Sequence, residues 1–135
     1  MRSDLSFFLD RGVGSRSIAA GLREAGWRVT TMDDRYGVER SQPVSDVDWI
    51  RDAASRGEIL ICKDRRMAKR PLEAESIYYA EARVLVLASA QITGPEMREW
   101  LLANDTAIER LAGVHRPWVF AVYASGVERI RLNHP

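Results

Sequence analysis

The sequence predicts an α/β domain with a central, mostly parallel sheet covered by helices on both faces. Two observations carry this. Apolar strand-like runs alternate with helical segments along the 135-residue chain, in the order β-α-β-α-β-α-β-α-β, with one more strand at the end. The opening run is also unbroken in polarity, with Phe7-Phe8-Leu9 in succession, as a strand buried on both faces requires. Crossovers between parallel strands are right-handed. The chain contains no repeat and no low-complexity segment, and it reads as a single domain over residues 1–135.

The elements follow in order. Leu5–Leu9 is a strand, and residues 10–14 form a glycine-bearing loop. Ser15 is placed to cap a helix whose inward residues are Ile18, Leu22 and Ala25, stopped by Gly26. Trp27–Met32 is the second strand. Asp33–Ser45 is expected to be a loop, with Asp33-Asp34 a solvated turn, because Gly37 and Pro43 sit among charged residues. Ser45 and Asp48 have the spacing of a capping box, and Trp49, Ile50 and Ala53 make the apolar face of the next helix. Glu58–Lys63 is the third strand. A basic loop and Pro71 lead to a helix near Glu73–Ala82, then a strand at Arg83–Ala88. Pro95 opens the longest helix, expected to run to Ala112-Gly113. Trp118–Ala124 and Val127–Leu132 close the chain, as a hairpin or as a last strand with an extension.

Composition narrows the class. An apolar fraction of 46% is that of a globular protein with a core of its own. The one cysteine, Cys62, lies in an apolar run and is expected to be a buried thiol, which suits a cytoplasmic protein. No apolar stretch reaches the roughly 20 residues that span a bilayer, and the opening residues lack the pattern of a signal peptide. The net charge is +1, but Lys63, Arg65, Arg66, Lys69 and Arg70 fall within eight positions. Such a cluster can hold a polyanion, and can equally be a solvated loop. The segment after Gly12 lacks the third glycine of a dinucleotide fingerprint, no Walker A sequence is present, and His115 and His134 stand apart from any catalytic pattern.

The chemistry sits at the strand ends. The first strand stops at Asp10 and the third at Asp64, and in an open α/β sheet ligands bind at the carboxyl ends of strands. Asp46 and Asp48 open the helix between them. Carboxylates gathered at one place raise one another's pKa, and a hard cation such as Mg²⁺ or Mn²⁺ relieves this with oxygen ligands. Asp10, Asp46 and Asp64 are therefore candidate catalytic residues, and the same three with Asp48 are candidate metal ligands. Asp46, at the first helical position, is favoured over Asp48, which also serves the helix end. No helix is expected after Asp64 for it to cap, so its main competing role is a salt bridge. Together these features point to a metal-dependent enzyme acting on phosphate esters.

Three segments resemble the PIN-like domain family. Phe7-Phe8-Leu9-Asp10-Arg11-Gly12-Val13-Gly14 looks like its opening, Asp46-Val47-Asp48-Trp49-Ile50 like its second acidic segment, and Ile61-Cys62-Lys63-Asp64-Arg65-Arg66-Met67 like its third, continued by Arg70-Pro71-Leu72-Glu73. The likeness covers roughly residues 5–90. It implies a three-layer α/β/α fold and an Mg²⁺- or Mn²⁺-dependent endoribonuclease, such as the toxin of a VapC-type toxin–antitoxin module held by a small antitoxin. Many such toxins form homodimers. In that role Arg11, Lys63, Arg65 and Arg66 contact the RNA backbone, while metal-activated water attacks the phosphodiester. The fourth acid of the PIN quartet has no counterpart by motif, and Glu73 or Glu75 is the nearest substitute. The alternatives are a PIN-like binding module without catalysis and a structure-specific DNA nuclease. A receiver-like phosphorylation domain needs an acidic pair directly after the first strand, where this chain has Arg11-Gly12 beyond Asp10.

Overall fold

A computed structural model describes residues 4–89 and 91–134. The strands are β1 (Ser6–Leu9), β2 (Arg28–Thr31), β3 (Ile59–Cys62), β4 (Arg83–Leu87), β5 (Trp118–Tyr123) and β6 (Gly126–Ile130). They form one sheet in the order β2-β1-β3-β4-β5-β6, parallel throughout except for the final antiparallel pair. The chain thus closes on a hairpin. The helices are α1 (Arg16–Glu24), α2 (Met32–Tyr36), α3 (Val38–Ser41), α4 (Asp46–Ser55), α5 (Pro71–Tyr79), α6 (Gly94–Ala103) and α7 (Asp105–Leu111), with a 3₁₀ turn at Arg65–Ala68.

Alternate residues of each strand face opposite sides, and each side is covered. Phe7, Leu9, Ile61 and Leu85 pack with Ile18 and Leu22 of α1, Leu101 of α6 and Ile108 of α7. Phe8, Leu60, Val84 and Val86 pack with Trp49, Ile50 and Ala53 of α4 and Ile77 of α5. The result is a three-layer α/β/α fold. Cys62 is a buried free thiol, as its run of apolar neighbours implies.

Three expectations need correction. The stretch after β2 is not a plain loop, because it contains α2 and α3. Thr31 and Asp34 form a reciprocal capping box at the start of α2, both bonds at 3.0 Å, and Asp34 also pairs with Arg23 at 2.8 Å. Asp33 accepts from the Ser41 hydroxyl at 2.8 Å, so neither acid is merely solvated. Arg35 ties α2 down with a two-pronged bond to Glu58, at 2.6 and 2.5 Å, and lies 4.8 Å over the Phe8 ring. The expected long helix is two, α6 and α7, broken at Asn104. The side chain of Asn104 donates to the carbonyls of Trp100, at 2.8 Å, and of Tyr123, at 2.7 Å, which pins the break to the end of β5. Finally, α5 begins at Pro71, whose fixed φ suits the first helical position, and ends at Tyr79 rather than Ala82.

The ends of α4 and α5 share one geometry with different residues. After α4 the chain passes through Gly57 at φ 75°, and the Glu58 amide returns to Ala53 O at 3.1 Å. After α5 it passes through Glu81 at φ 52°, and the Ala82 amide returns to Ile77 O at 3.0 Å. An exposed glutamate in the left-handed region is strained by roughly 1–2 kcal/mol, partly offset in a glycine by its greater freedom when unfolded. Glu81→Gly should therefore stabilise the protein by about 0.5–1 kcal/mol, seen as a higher urea midpoint at unchanged slope. A lower midpoint would count against this account of the turn.

Candidate active site

The strand order sets the position of the site. From β1 the chain moves outward to β2, then crosses back to place β3 on the other side of β1. The helices that follow β1 and β3 pack on opposite faces of the sheet, which makes the carboxyl ends of these two strands a topological switch point, the place where open α/β sheets take their ligands. Asp10 follows β1 directly, and its amide donates to Ile61 O at 2.9 Å, extending the ladder by one residue. Asp64 lies two residues beyond β3.

The crossover supplies Asp46. Ser45 caps α4 by accepting from the Asp48 amide at 3.2 Å, although the reciprocal half of the box is absent. Asp46, at the first helical position, accepts from Trp49 Nε1 at 2.9 Å. Trp49 is fully buried and packs 5.5 Å from the Phe8 ring, so the core fixes the direction of this carboxylate. Asp48 is exposed on the same helical turn.

Electrostatics link the three. Burial pushes the Asp10 carboxyl up to about 6, and the charges of Asp46 and Asp64 push the same way, against the Arg11 amide that donates to it at 2.7 Å. Burial alone would raise Asp64 too. Its hydrogen bonds to the Arg66 amide, at 3.0 Å, and to Arg70, at 2.6 Å, hold it below the usual carboxylate range instead.

The three carboxylates share a field without forming a ready ligand cage. Among the described residues, no group of three His, Cys, Asp or Glu is close enough to hold a metal as placed. Asp46 is turned to Trp49, and Asp64 to Arg70. The donor set still suits a hard divalent cation, since all three are carboxylate oxygens, and Asp46 and Asp64 both add negative charge around Asp10.

Residues 5–89 match the family model described as PIN like domain. The chain belongs to the PIN-like domain family. It is 32% identical over 123 residues to a Mycobacterium tuberculosis protein named "Putative ribonuclease VapC45", covering 91% of this chain and 89% of that one. No solved structure matches the chain.

In this PIN-like domain the remaining predicted residues divide. Lys63 lies against the loop after Asp10, where a Cβ on Gly12 would come within 3.3 Å of its Cε. Arg65 and Arg66 are exposed, and Arg65 reaches the Tyr123 hydroxyl at 3.4 Å. Arg11 differs from expectation, since its guanidinium is taken up by backbone carbonyls of Ser41 at 2.5 Å, Gln42 at 3.3 Å and Val44 at 3.4 Å. It clasps the segment that leads into α4. Asp64 also departs from expectation, because it does cap a helix, the 3₁₀ turn at Arg65–Ala68. Glu73 joins the site through Arg70, 3.5 Å away, while Glu75 lines a separate hollow between α4 and α5 with Arg51 and Tyr79. Arg70, one of the basic cluster, is the residue that holds Asp64. Its spacing of six from Asp64 carries no local signal, whereas its spacing of three from Glu73 is that of a helix-surface ion pair.

The raised Asp10 pKa has a consequence for stability. Taking 3.8 as the unfolded value, the native state holds the extra proton between there and about 6. Ionising Asp10 thus costs stability as pH rises through that window, by about 2 kcal/mol after allowing for partial exposure. Asp10→Asn should be more stable than wild type by about that amount at pH 7 in EDTA. The advantage should vanish below about pH 4. Urea unfolding at the two pH values checks this, and a gap independent of pH would contradict it.

Proposed function

We propose that this PIN-like domain is a metal-dependent endoribonuclease, the toxin of a type II toxin–antitoxin pair. The observation that carries the reading is the placement of a half-buried Asp10 at the end of β1, within electrostatic reach of Asp46 at the start of α4 and Asp64 after β3. The name of the 32% identical M. tuberculosis relative supports the ribonuclease part. Asp10, Asp46 and Asp64 would hold one or two Mg²⁺ or Mn²⁺ ions, with Asp48 on the solvent side. When bound, the cation supplies Lewis acidity toward the phosphodiester and eases ionisation of water.

The chain's own residues do the rest. Trp49 and Arg11 set the direction and approach of Asp46. Arg70 keeps Asp64 ionised. Lys63, Arg65 and Arg66 draw the RNA backbone to the crevice and stabilise charge on the phosphoryl oxygens. Arg11, with its guanidinium engaged, serves that surface by holding the loop rather than by touching RNA. A small antitoxin is the expected partner, a homodimer the expected assembly and the cytoplasm the expected compartment. Among the described residues no helix is long and apolar enough to cross a membrane.

A second reading is favoured by two observations. The Asp64 carboxylate is already paired with Arg70, and no ready ligand cluster is present among the described residues. That is also what a PIN-like binding module without catalysis would show. Incubating a mixed single-stranded RNA pool with Mg²⁺, Mn²⁺ or EDTA separates the two. The nuclease should cut only with metal, and Asp64→Asn should lower the rate at least about 100-fold while remaining folded. Absence of cutting by folded, partner-free protein under both metals would favour the binding module. Competition by duplex and single-stranded DNA would expose a DNA nuclease.

The basic residues give a further expectation. Arg65→Ala with Arg66→Ala should weaken RNA binding and flatten its log–log salt dependence by about 1.4, the contribution of two phosphate contacts to a single strand. An unchanged slope would remove these arginines from the RNA surface.

A further inference from the structure

The cations near Asp64 do not end with the loop that carries it. A cleft of about 270 Å³ runs between the 3₁₀ turn and the edge strand β6, with Arg65, Arg66, Lys69 and Arg131 among its lining and Glu128 its one acid. Arg129 also lines it, but its guanidinium lies 5.5 Å over the Phe120 ring, on the opposite face of the sheet from Ile130. Lys69 and Arg131 border a second hollow as well, completed by Asn133. Beyond Asn133 is His134, whose ring lies 4.5 Å from Tyr78 and 5.2 Å from Tyr79. Tyr79 is 71% exposed.

We propose that a single strand of RNA passes from the acid site along this cleft, its phosphates on Lys69 and Arg131, and stacks a base on the Tyr78–Tyr79–His134 rings. The route from the acid site rests on the nuclease reading above; the surface itself does not. Charge alone would fit an acidic protein segment equally well. The order of features favours RNA, because the cations start at Asp64 and the exposed rings follow them, and basic groups leading to aromatic platforms are how single strands are bound. Edge-strand arginines can also serve to block pairing with another sheet. That role would not account for Lys69, which comes from the far side of the cleft. Among the described residues neither Lys69 nor Arg131 has an acidic partner within ion-pair distance.

Fluorescence anisotropy with labelled, unstructured oligoribonucleotides of increasing length, in EDTA, tests this without requiring cleavage. Lys69→Ala with Arg131→Ala should weaken binding of the longer oligomers about 10-fold and lower the salt slope by about 1.4, with the slope restored by Lys69→Arg with Arg131→Lys. Tyr79→Ala should weaken binding about 5-fold and leave the slope unchanged. All three substituted residues are exposed, so the fold is expected to persist, and circular dichroism checks that. Wild-type affinity and slope in both alanine variants would overturn the proposal and assign the cleft to an acidic protein segment. A protein that cuts no RNA with any metal but shows these losses would refute the nuclease reading and uphold the cleft. One that cuts RNA and shows none would do the reverse.

Discussion

Parallel pairing of β1 with both β2 and β3 is the constraint on which the rest of the molecule depends. It places β1 inside the sheet, with Phe7, Phe8 and Leu9 all without solvent exposure. The residue that ends such a strand cannot withdraw from the interior. Asp10 is therefore desolvated by topology rather than by any contact of its own side chain. The same pairing obliges the chain to cross over β1 between β2 and β3, and α4 is part of that crossover. Asp46 arrives on the crossover and Asp64 after the strand it leads to. Three acids from distant parts of the sequence come into one another's electrostatic field because one strand has parallel neighbours on both sides.

Their charges are balanced unequally. Asp64 has two guanidinium partners, whereas Asp46 has an indole N–H and Asp10 a backbone amide. Dipoles orient a carboxylate without cancelling its charge. On the β1–α4 side the charges of Asp46 and Asp64 therefore add to the burial that raises Asp10. This side is also the better braced. Trp49 holds Asp46 from within the core, and Arg11 grips the carbonyls just before α4. On the β3 side Asp64 depends on Arg70, which it shares with Glu73. A cation entering there would have to compete with Arg70 for Asp64 and share Asp46 with the Trp49 indole.

The fold was legible because its main elements are written locally. Buried parallel strands need apolar runs, and two of the helices announce their starts with serine caps, Ser15 and Ser45. What escaped sequence reading was either faint or distant. The Thr31–Asp34 box announced α2, but Gly37, Pro43 and the surrounding charges pointed more strongly to a loop. The break at Asn104 depends on the Tyr123 carbonyl, nineteen residues away, and has no local sign. The same division runs through the site. That Asp10 and Asp64 end strands is visible in the sequence, and so is the first-turn position of Asp46. That Arg11 turns away from the crevice to carbonyls thirty or more residues on is not, since only the packed chain brings them together.

The 3₁₀ turn at Arg65–Ala68 connects the acid site with the basic cleft. Its first side is capped by Asp64, and its far end receives the C-terminal segment, where the Asn133 amide donates to Ala68 O at 2.8 Å and its side chain to Lys69 O at 3.0 Å. Met67 and Ala68 between them are buried in the core that also holds Phe8 and Trp49. The exposed cations Arg65, Arg66 and Lys69 are thus mounted on a short element whose middle is anchored and whose two ends are both tied. A long cationic side chain loses much of its binding energy to its own disorder unless its backbone is fixed. Here the backbone is fixed by the same apolar contacts that direct Asp46 through Trp49. Loss of packing around Met67 would then act on both surfaces together, loosening the cations of the cleft and the carboxylate of the crevice at once.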